Sequence, residues 1–178
     1  VTLGGYPGEL RKLLGVWAEE IDALDPSVKN QIVMKEAWGK LEGQYECNIL
    51  FDLIHSEGAE VLATYGSDFY KGMPVLTKNN YGKGDAYYVA SSPDQAFLDG
   101  LITNICDDKG IQPVATSDHG VEITERSKDG KTIIFVMNHN AESATFDLGR
   151  KEVEDLLSRE TLTGVNTIEA KDVLILQK

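Results

Sequence analysis

Cysteines, histidines and long apolar runs are all scarce in this chain of 178 residues. Its two cysteines, Cys47 and Cys106, and its three histidines show no metal-ligand spacing, so we expect no metal site. We expect both cysteines to be free thiols, as in a cytoplasmic protein, rather than a disulfide. His55 and His139 are interpreted as hydrogen-bonding residues at strand ends. No segment approaches the roughly 20 apolar residues that span a bilayer, so no membrane partner is expected.

Basic residues are also few. The chain has 17 Lys and Arg against 29 Asp and Glu, which gives a formal net charge of −12. Such a surface repels the phosphates of nucleic acids, and no cluster of Lys and Arg offsets this repulsion. The sequence therefore predicts no nucleic-acid partner.

Motifs for catalysis and cofactor binding are missing as well. Catalysis by a pair of carboxyl groups needs two groups that can cooperate, but Glu19 and Glu20 are neighbours in a strand-like run and point to opposite faces. Asp107 and Asp108 lie near the end of a predicted helix and are interpreted as solvated. The run at 82–84, Gly-Lys-Gly, lacks the rest of a phosphate-binding loop and is explained by a hairpin turn. We therefore expect no catalytic residue and no cofactor.

Apolar periodicity predicts both helices and strands in the first part of the chain, residues 1–110. It indicates a helix over 7–14, strands over 16–24, 31–36 and 44–54, and a second helix over 93–108. In the second helix, Ser92 is expected to be the N-cap and Gln95 to complete a capping box. The apolar stripe of this helix contains Phe97, Leu98, Leu101, Ile102, Ile105 and Cys106.

The pattern of apolar and turn residues over 59–89 predicts a strand, a loop, a second strand, a tight turn and a third strand. Apolar runs at 61–63, 75–76 and 86–90 are separated by turn residues, with the tight turn expected within 79–84. Three aromatic residues occupy loop or turn positions, where another element or another chain must bury them. These three residues are Phe69, Tyr70 and Tyr81. We predict that they form a subunit interface together with Trp17. The alternative is a carbohydrate-binding accessory module, in which these aromatics or Trp38 stack on sugar rings.

After residue 110 the pattern changes to that of a small antiparallel β-domain over 111–178. Strands are predicted over 121–126, 131–138, 143–148 and 173–176, with a hairpin turn at 127–130. Residues 111–120 are interpreted as a linker, and residues 152–157 are compatible with either a short helix or a strand. Ala144, Phe146 and Leu148 alternate with polar residues, which is typical of a half-buried strand. We expect a small β-sandwich.

The order of these segments resembles glycoside hydrolase family 42 β-galactosidases. Their trimerisation domain is similar to LGGYPGEL at 3–10, to LGVWAEEIDAL at 14–24, to DLIH at 52–55 and to the whole of 59–89. Their small C-terminal β-domain is similar to GVEITER at 120–126 and FVMNHN at 135–140. The resemblance covers nearly the whole chain, and residues 31–43 and 151–178 match least.

The resemblance implies an α/β domain over 1–110, a partial flavodoxin-like fold also described as class I glutamine amidotransferase-like, followed by the all-β C-terminal sandwich. Family members carry their two catalytic glutamates in a TIM barrel, to which nothing in this chain corresponds, so no catalytic residue can be assigned here. The resemblance thus implies a non-catalytic C-terminal segment of a cytoplasmic β-galactosidase.

In the parent enzyme, as the resemblance implies, this segment would hold three subunits together. The full-length enzyme would hydrolyse terminal non-reducing β-D-galactosides with retention, and substrate would be bound only through the barrel. A doubly wound sheet without its first strands exposes an unpaired edge and uncovered apolar faces, so we expect the isolated chain to self-associate or to rearrange and cover them. The competing hypothesis is that the chain hydrolyses galactosides by itself.

Overall fold

The computed structural model describes residues 5–178. The chain divides into two compact units, Val1–Gly110 and Ile111–Lys178. Leu3 and Gly4, which belong to the first resembling motif, lie outside the described residues. Within residues 5–178, no helix has the length and apolar character needed to cross a membrane.

The first unit begins with a short helical segment. A 3₁₀ turn at Gly8–Leu10 leads into helix α1 (Arg11–Leu14), so the predicted helix over 7–14 is confirmed. Gly15 ends α1 with a positive φ of 64°, and its N–H donates to the Arg11 carbonyl at 2.8 Å. A Cβ at Gly15 would lie 2.8 Å from the Asn79 side chain, so only glycine allows this close approach.

Antiparallel strands form most of the first unit. They are β1 (Val16–Ala23), β2 (Lys29–Met34), β3 (Gln44–Ser56), β4 (Glu60–Tyr65), β5 (Pro74–Tyr81), β6 (Gly84–Val89) and β7 (Ser91–Pro93). Their order is β1-β3-β2-β4-β5-β6, and β7 also pairs with β3. All the predicted strands of this part are confirmed. The tight turn is narrower than expected, since Asn79 lies within β5 and its Nδ2 donates to the Leu13 carbonyl at 2.8 Å.

Ala90 connects β5 with β3. Its N–H donates to the Val75 carbonyl, and its carbonyl accepts from the Asp52 N–H, both at 2.8 Å. The hydrogen-bonded path β3-β2-β4-β5 is therefore closed through Ala90, around a core that includes Phe51, Tyr65, Tyr70, Leu76 and Phe97. The predicted doubly wound, flavodoxin-like sheet is not confirmed, because the described strand pairs of this unit are antiparallel.

Helix α2 (Gln95–Asp108) confirms the second predicted helix but not its cap. Asp94 is the N-cap, and its carboxylate accepts the Phe97 N–H at 2.8 Å. Ser92 lies in β7 and pairs with β3, so the predicted Ser92–Gln95 capping box is wrong. Asp94 is the cap because it lies three residues before Phe97, and the Phe97 N–H has no acceptor within the helix.

The second unit consists of short antiparallel strands. They are β8 (Thr116–Ser117), β9 (Val121–Lys128), β10 (Lys131–Asn138), β11 (Ala144–Asp147), β12 (Val153–Asp155), β13 (Thr161–Leu162), β14 (Val165–Ile168) and β15 (Val173–Gln177). One sheet has the order β13-β12-β15-β10-β9, and the other has the order β14-β11-β8. Both sheets contribute to one core, with Ile134 and Leu176 from the first and Phe146 and Ile168 from the second. The predicted antiparallel β-structure is confirmed.

The details of this unit differ from the prediction at its weakest points. The hairpin turn between β9 and β10 is confirmed, with positive φ at Asp129 and Gly130. Strand β8 lies inside the predicted linker, and β13 and β14 were not predicted at all. These three strands have two to four residues, too few for an alternating pattern to be recognised. The ambiguous segment at 152–157 contains β12 rather than a helix.

Candidate functional site

The loop between β4 and β5 presents Phe69 to solvent, with 74% of the residue exposed. Asp68, just before it, has a positive φ of 67°, and its carboxylate accepts the Phe69 N–H at 2.7 Å. Tyr70, just after it, is buried and packs against the rings of Phe51 and Tyr65, with centroids 5.7 and 4.9 Å away. The exposed ring is therefore held between two fixed neighbours.

Asn30 of β2 anchors the start of the same loop. This buried amide accepts from the Ser67 N–H at 3.0 Å and from the Ser67 hydroxyl at 2.7 Å, and it donates to the Ser67 carbonyl at 3.1 Å. At the other side of the loop, the Gly72 N–H donates to the Tyr65 carbonyl at 2.9 Å. With both sides fixed, Phe69 loses little conformational freedom when a partner covers it.

Tyr70 corrects part of the predicted interface. It is 1% exposed, and its burial comes from Phe51 and Tyr65 of the same unit rather than from another chain. Burial also raises the pKa of its phenol. The sequence placed Tyr70 correctly in a loop, but a loop residue that follows a surface ring can still point inward. Tyr70 therefore serves the core.

The other predicted interface residues occupy separate places. Tyr81, 53% exposed, ends β5 beside the tight turn, where it pairs with Gly84. Trp17 of β1 is half-buried and stacks on His55, with ring centroids 4.7 Å apart. Among the described residues, no ring contact joins either of them to Phe69, so these side chains do not form one aromatic cluster.

A groove of about 440 Å³ lies beside Trp38, after the end of β2 and at the start of β4. Its rim carries two basic and two acidic side chains: Lys35, Lys78, Glu36 and Glu60. The Trp38 ring stacks on Tyr87, with centroids 5.5 Å apart and the planes 8° from parallel. An aromatic side wall beside charges of both signs can take an aromatic group or a polar ring.

Asn104 of α2 fixes the Trp38 turn. This side chain is 3% exposed, donates to the Trp38 carbonyl at 2.5 Å and accepts the Lys40 N–H at 2.7 Å. Trp38 and Leu41 also exchange two backbone hydrogen bonds of 2.8 Å. Sequence analysis missed Asn104, although a polar residue between the apolar positions Leu101 and Ile105 of a helix was a usable signal.

A second group missed by sequence analysis surrounds Tyr88 of β6. The Tyr88 hydroxyl donates to the Asp52 carboxylate and lies 3.4 Å from the Tyr6 hydroxyl. Burial, followed by the hydrogen bond with Asp52, raises the pKa of Tyr88. The phenol is therefore kept neutral, as a hydrogen-bond donor.

Five carboxyl groups of the described residues have a clearly shifted pKa. A catalytic general acid needs a raised pKa, whereas every carboxyl group with a clear shift has a lowered one. Hydrogen bonds from Ser27 lower the pKa of Asp25. A hydrogen bond and the positive charge of a basic partner lower the pKa of the other two: Arg11 acts on Glu57, and Lys109 acts on Asp85. Within residues 5–178, no cluster of three or more His, Cys, Asp or Glu side chains could hold a metal ion.

Comparison with known families finds a match for each part of the chain. Residues 1–112 match the family described as "Beta-galactosidase trimerisation domain", and residues 120–178 match "Beta-galactosidase C-terminal domain". The chain belongs to the glycoside hydrolase family 42 β-galactosidases. The resemblance noted in the sequence is thereby confirmed.

Individual β-galactosidases match over the full length of this chain. The chain is 56% identical over 178 residues to β-galactosidase BgaP of Planococcus sp. (strain L4) and covers 26% of that relative. Among solved structures, the β-galactosidase from Bacillus circulans sp. alkalophilus has a TM-score of 0.92 and 57% identity, with 100% of this chain and 26% of that chain covered. The cold-adapted β-galactosidase from Rahnella sp. R3 has a TM-score of 0.85 and 37% identity, with 99% of this chain and 26% of that chain covered.

This member of the β-galactosidase family therefore spans about a quarter of the length of the relatives it matches. The exposed Phe69, the half-buried Trp17, the exposed Tyr81 and the Trp38 groove all fall within the segment that matches the trimerisation domain. These four features thus lie in the part of the chain that matches the family described by its trimerisation.

Proposed function

We propose that this chain is the non-catalytic assembly segment of a β-galactosidase and associates with copies of itself. The observation that carries the proposal is Phe69, which is 74% exposed on a fixed loop within the match to the trimerisation domain. Large aromatic residues that are exposed in the monomer and held rigidly are typical centres of binding energy in interfaces. Trp17 and Tyr81 are proposed as further interface residues.

The domain limits and the finer fold belong to the same proposal. We assign residues 1–110 to the trimerisation domain and residues 111–178 to a C-terminal β-sandwich, which the compact units and the two family matches support. The antiparallel sheet of the first unit would then be one part of a larger flavodoxin-like domain. Family membership alone supports that last step.

The activity of the whole enzyme is proposed from its relatives. Relatives that align with 100% of this chain, at 56% and 57% identity, are named β-galactosidases, so the full-length form is proposed to hydrolyse terminal non-reducing β-D-galactosides with retention. Its two glutamates would lie in a TIM barrel outside the matched quarter of the relatives. The free thiols of Cys47 and Cys106 agree with a cytoplasmic location.

Sedimentation of the 178-residue chain tests the assembly proposal. We expect a species of three times the mass of one chain at micromolar concentration, and a monomer throughout that range would contradict the proposal. A chromogenic β-galactoside assay tests the non-catalytic role. Turnover that disappears when one acidic residue of this chain is replaced would show that the chain is an enzyme by itself.

Carbohydrate binding is the second candidate function, and the Trp38 groove favours it. A tryptophan flanked by carboxylates and ammonium groups offers a stacking surface and hydrogen-bonding groups for sugar hydroxyls. Titration with galactose or lactose, followed by calorimetry, separates the candidates. Absence of heat at millimolar sugar would remove this second function.

A further inference from the structure

The Phe69 loop and the Trp38 groove lie at opposite ends of the same pair of strands. Strand β4 starts at Glu60, on the groove, and ends at Tyr65, next to the loop. Its antiparallel partner β2 runs from Asn30, which anchors the loop, towards Met34, which lines the groove. A strand of six residues spans about 20 Å. A projecting ring and a recess therefore stand at the two ends of one rigid element.

A ring of three copies requires two different surfaces on each copy. In a two-fold dimer one patch meets its own copy, whereas in a three-fold ring each copy offers one patch to one neighbour and another patch to the next. One projection and one recess on each chain satisfy this requirement. The requirement itself rests on the trimer proposed above.

We propose that Phe69 of one copy enters the Trp38 groove of the next copy, so that three copies close head to tail. A groove of about 440 Å³ is large enough for a phenyl ring and its flanking backbone. The stacked Trp38 and Tyr87 rings offer the entering ring an aromatic partner. Because Asn104 fixes the Trp38 turn and Asn30 fixes the Phe69 loop, both surfaces are preorganised for this contact.

Each of the two surfaces carries charges of both signs, so opposite charges can be paired across the contact. Phe69 is flanked in sequence by Asp68 and followed closely by Lys71, while Lys35 and Glu60 stand on the rim of the groove. In the described part of the chain, none of these four side chains forms an ion pair. In the head-to-tail contact, Asp68 faces Lys35 and Lys71 faces Glu60, which gives the contact its register.

Cross-linking tests the contact directly. The experiment uses a Cys106→Ser background, in which the remaining cysteine, Cys47, is buried. Lys71→Cys and Ala37→Cys are introduced into the same chain, and the protein is then treated with a short bismaleimide linker. We expect covalent trimers from the double variant and none from either single variant. Cross-linking of the Lys71→Cys variant alone would show that like surfaces meet and would overturn the proposal. So would an intact trimer whose double variant stays uncross-linked.

A charge exchange tests the register. Lys71→Glu and Glu60→Lys are each expected to lower the trimerisation constant about tenfold, because every ring contains three such contacts, and the double exchange is expected to restore it. Lys83→Glu, in the tight turn after β5, is the control and should change nothing. A trimer that is indifferent to both exchanges and to Phe69→Ala overturns this inference and leaves the proposed function intact. A monomeric parent chain overturns both.

A sugar titration tests the other occupant of the groove. With 5-fluorotryptophan in place of both tryptophans, the fluorine spectrum is expected to hold two signals, and a Trp38→Phe variant assigns the one that reports on the groove. In the contact proposed here, millimolar lactose leaves this signal unchanged, because the neighbouring copy fills the groove. A saturable shift of the signal in a trimer that stays assembled would show an open sugar site and would overturn the proposal.

Discussion

Phe69 and Tyr70 are consecutive residues whose rings meet edge to face at 4.8 Å, yet the first is 74% exposed and the second 1%. Tyr70 is inserted between Phe51 and Tyr65 and so fixes the backbone that carries its neighbour. One side chain of the pair stabilises the fold, and the other is available to a partner. Stability and association can therefore be separated by two adjacent substitutions.

The first prediction uses this pair. Tyr70→Ala removes a fully buried ring and is expected to lower the free energy of unfolding by about 3–5 kcal/mol. Phe69→Ala is expected to change it by less than about 0.5 kcal/mol while weakening self-association by about 2 kcal/mol. Urea denaturation and sedimentation equilibrium measure the two effects. Equal losses of stability in both variants would contradict the division of roles.

The sequence predicted local structure better than pairing. The β9–β10 hairpin follows from alternation around Asp129 and Gly130, whose turn chemistry is local. By contrast, α2 is capped by Asp94 and not by the predicted Ser92. This difference arises because Ser92 pairs with β3, some 40 residues earlier in the chain. The closure through Ala90 is equally non-local, since it joins β3 and β5 by two backbone hydrogen bonds that no side-chain pattern encodes.

The candidate site was predictable only in part, for a similar reason. Phe69 and Tyr81 are exposed, as their turn positions indicated, but the burial of Tyr70 depends on Phe51 and Tyr65 from other strands. The two hydrogen bonds of the Asn104 side chain, with the Trp38 carbonyl and the Lys40 N–H, act as a clamp on the Trp38 turn. This clamp joins Asn104 to a residue 66 positions earlier. Such contacts follow from the tertiary fold, and a single sequence contains no direct signal for them.

The second prediction concerns that clamp. Asn104→Ala leaves the Lys40 N–H and the Trp38 carbonyl without their side-chain partner, which is expected to cost about 1–3 kcal/mol of unfolding free energy. The same change should increase the mobility of Trp38, measured as lower fluorescence anisotropy in a Trp17→Phe background. Asp107→Ala, at an exposed position of the same helix, is the matched control. Similar losses in both variants would show that the clamp contributes nothing specific.

The third prediction concerns acid stability of the second unit. Hydrogen bonds from Thr145 lower the pKa of Asp118; burial favours a higher pKa for Asp155, but hydrogen bonds from Ser158 and Leu157 outweigh it. A carboxyl group with a lower pKa in the folded state stabilises the fold above its unfolded pKa, near 3.8, and this contribution is lost as the pH falls through the folded pKa.

Unfolding followed from neutral to acid pH measures this effect. We expect the stability of the second unit to be nearly constant down to about pH 5 and to fall below about pH 4. Asp155→Asn should flatten that fall, whereas Glu152→Gln, at an exposed position, should leave its shape unchanged. A profile that is identical in all three proteins would exclude Asp155 as a source of acid sensitivity.

The fourth prediction concerns the opposite end of the pH scale. Burial is the main cause that raises the pKa of Tyr65 and Tyr88, and the hydrogen bond with Asp52 adds to the shift at Tyr88. Because the folded state favours the neutral phenol, its contribution to stability is present below the unfolded pKa of about 10 and is lost as the pH rises above it. Ultraviolet difference spectra should therefore show three of the seven tyrosines ionising only as the first unit unfolds: these two and the buried Tyr70, whose pKa burial also raises. In denaturing urea all seven should ionise together. Tyr88→Phe should reduce the late phase by one phenolate, and a late phase of unchanged size would place the resistant tyrosine elsewhere in the core.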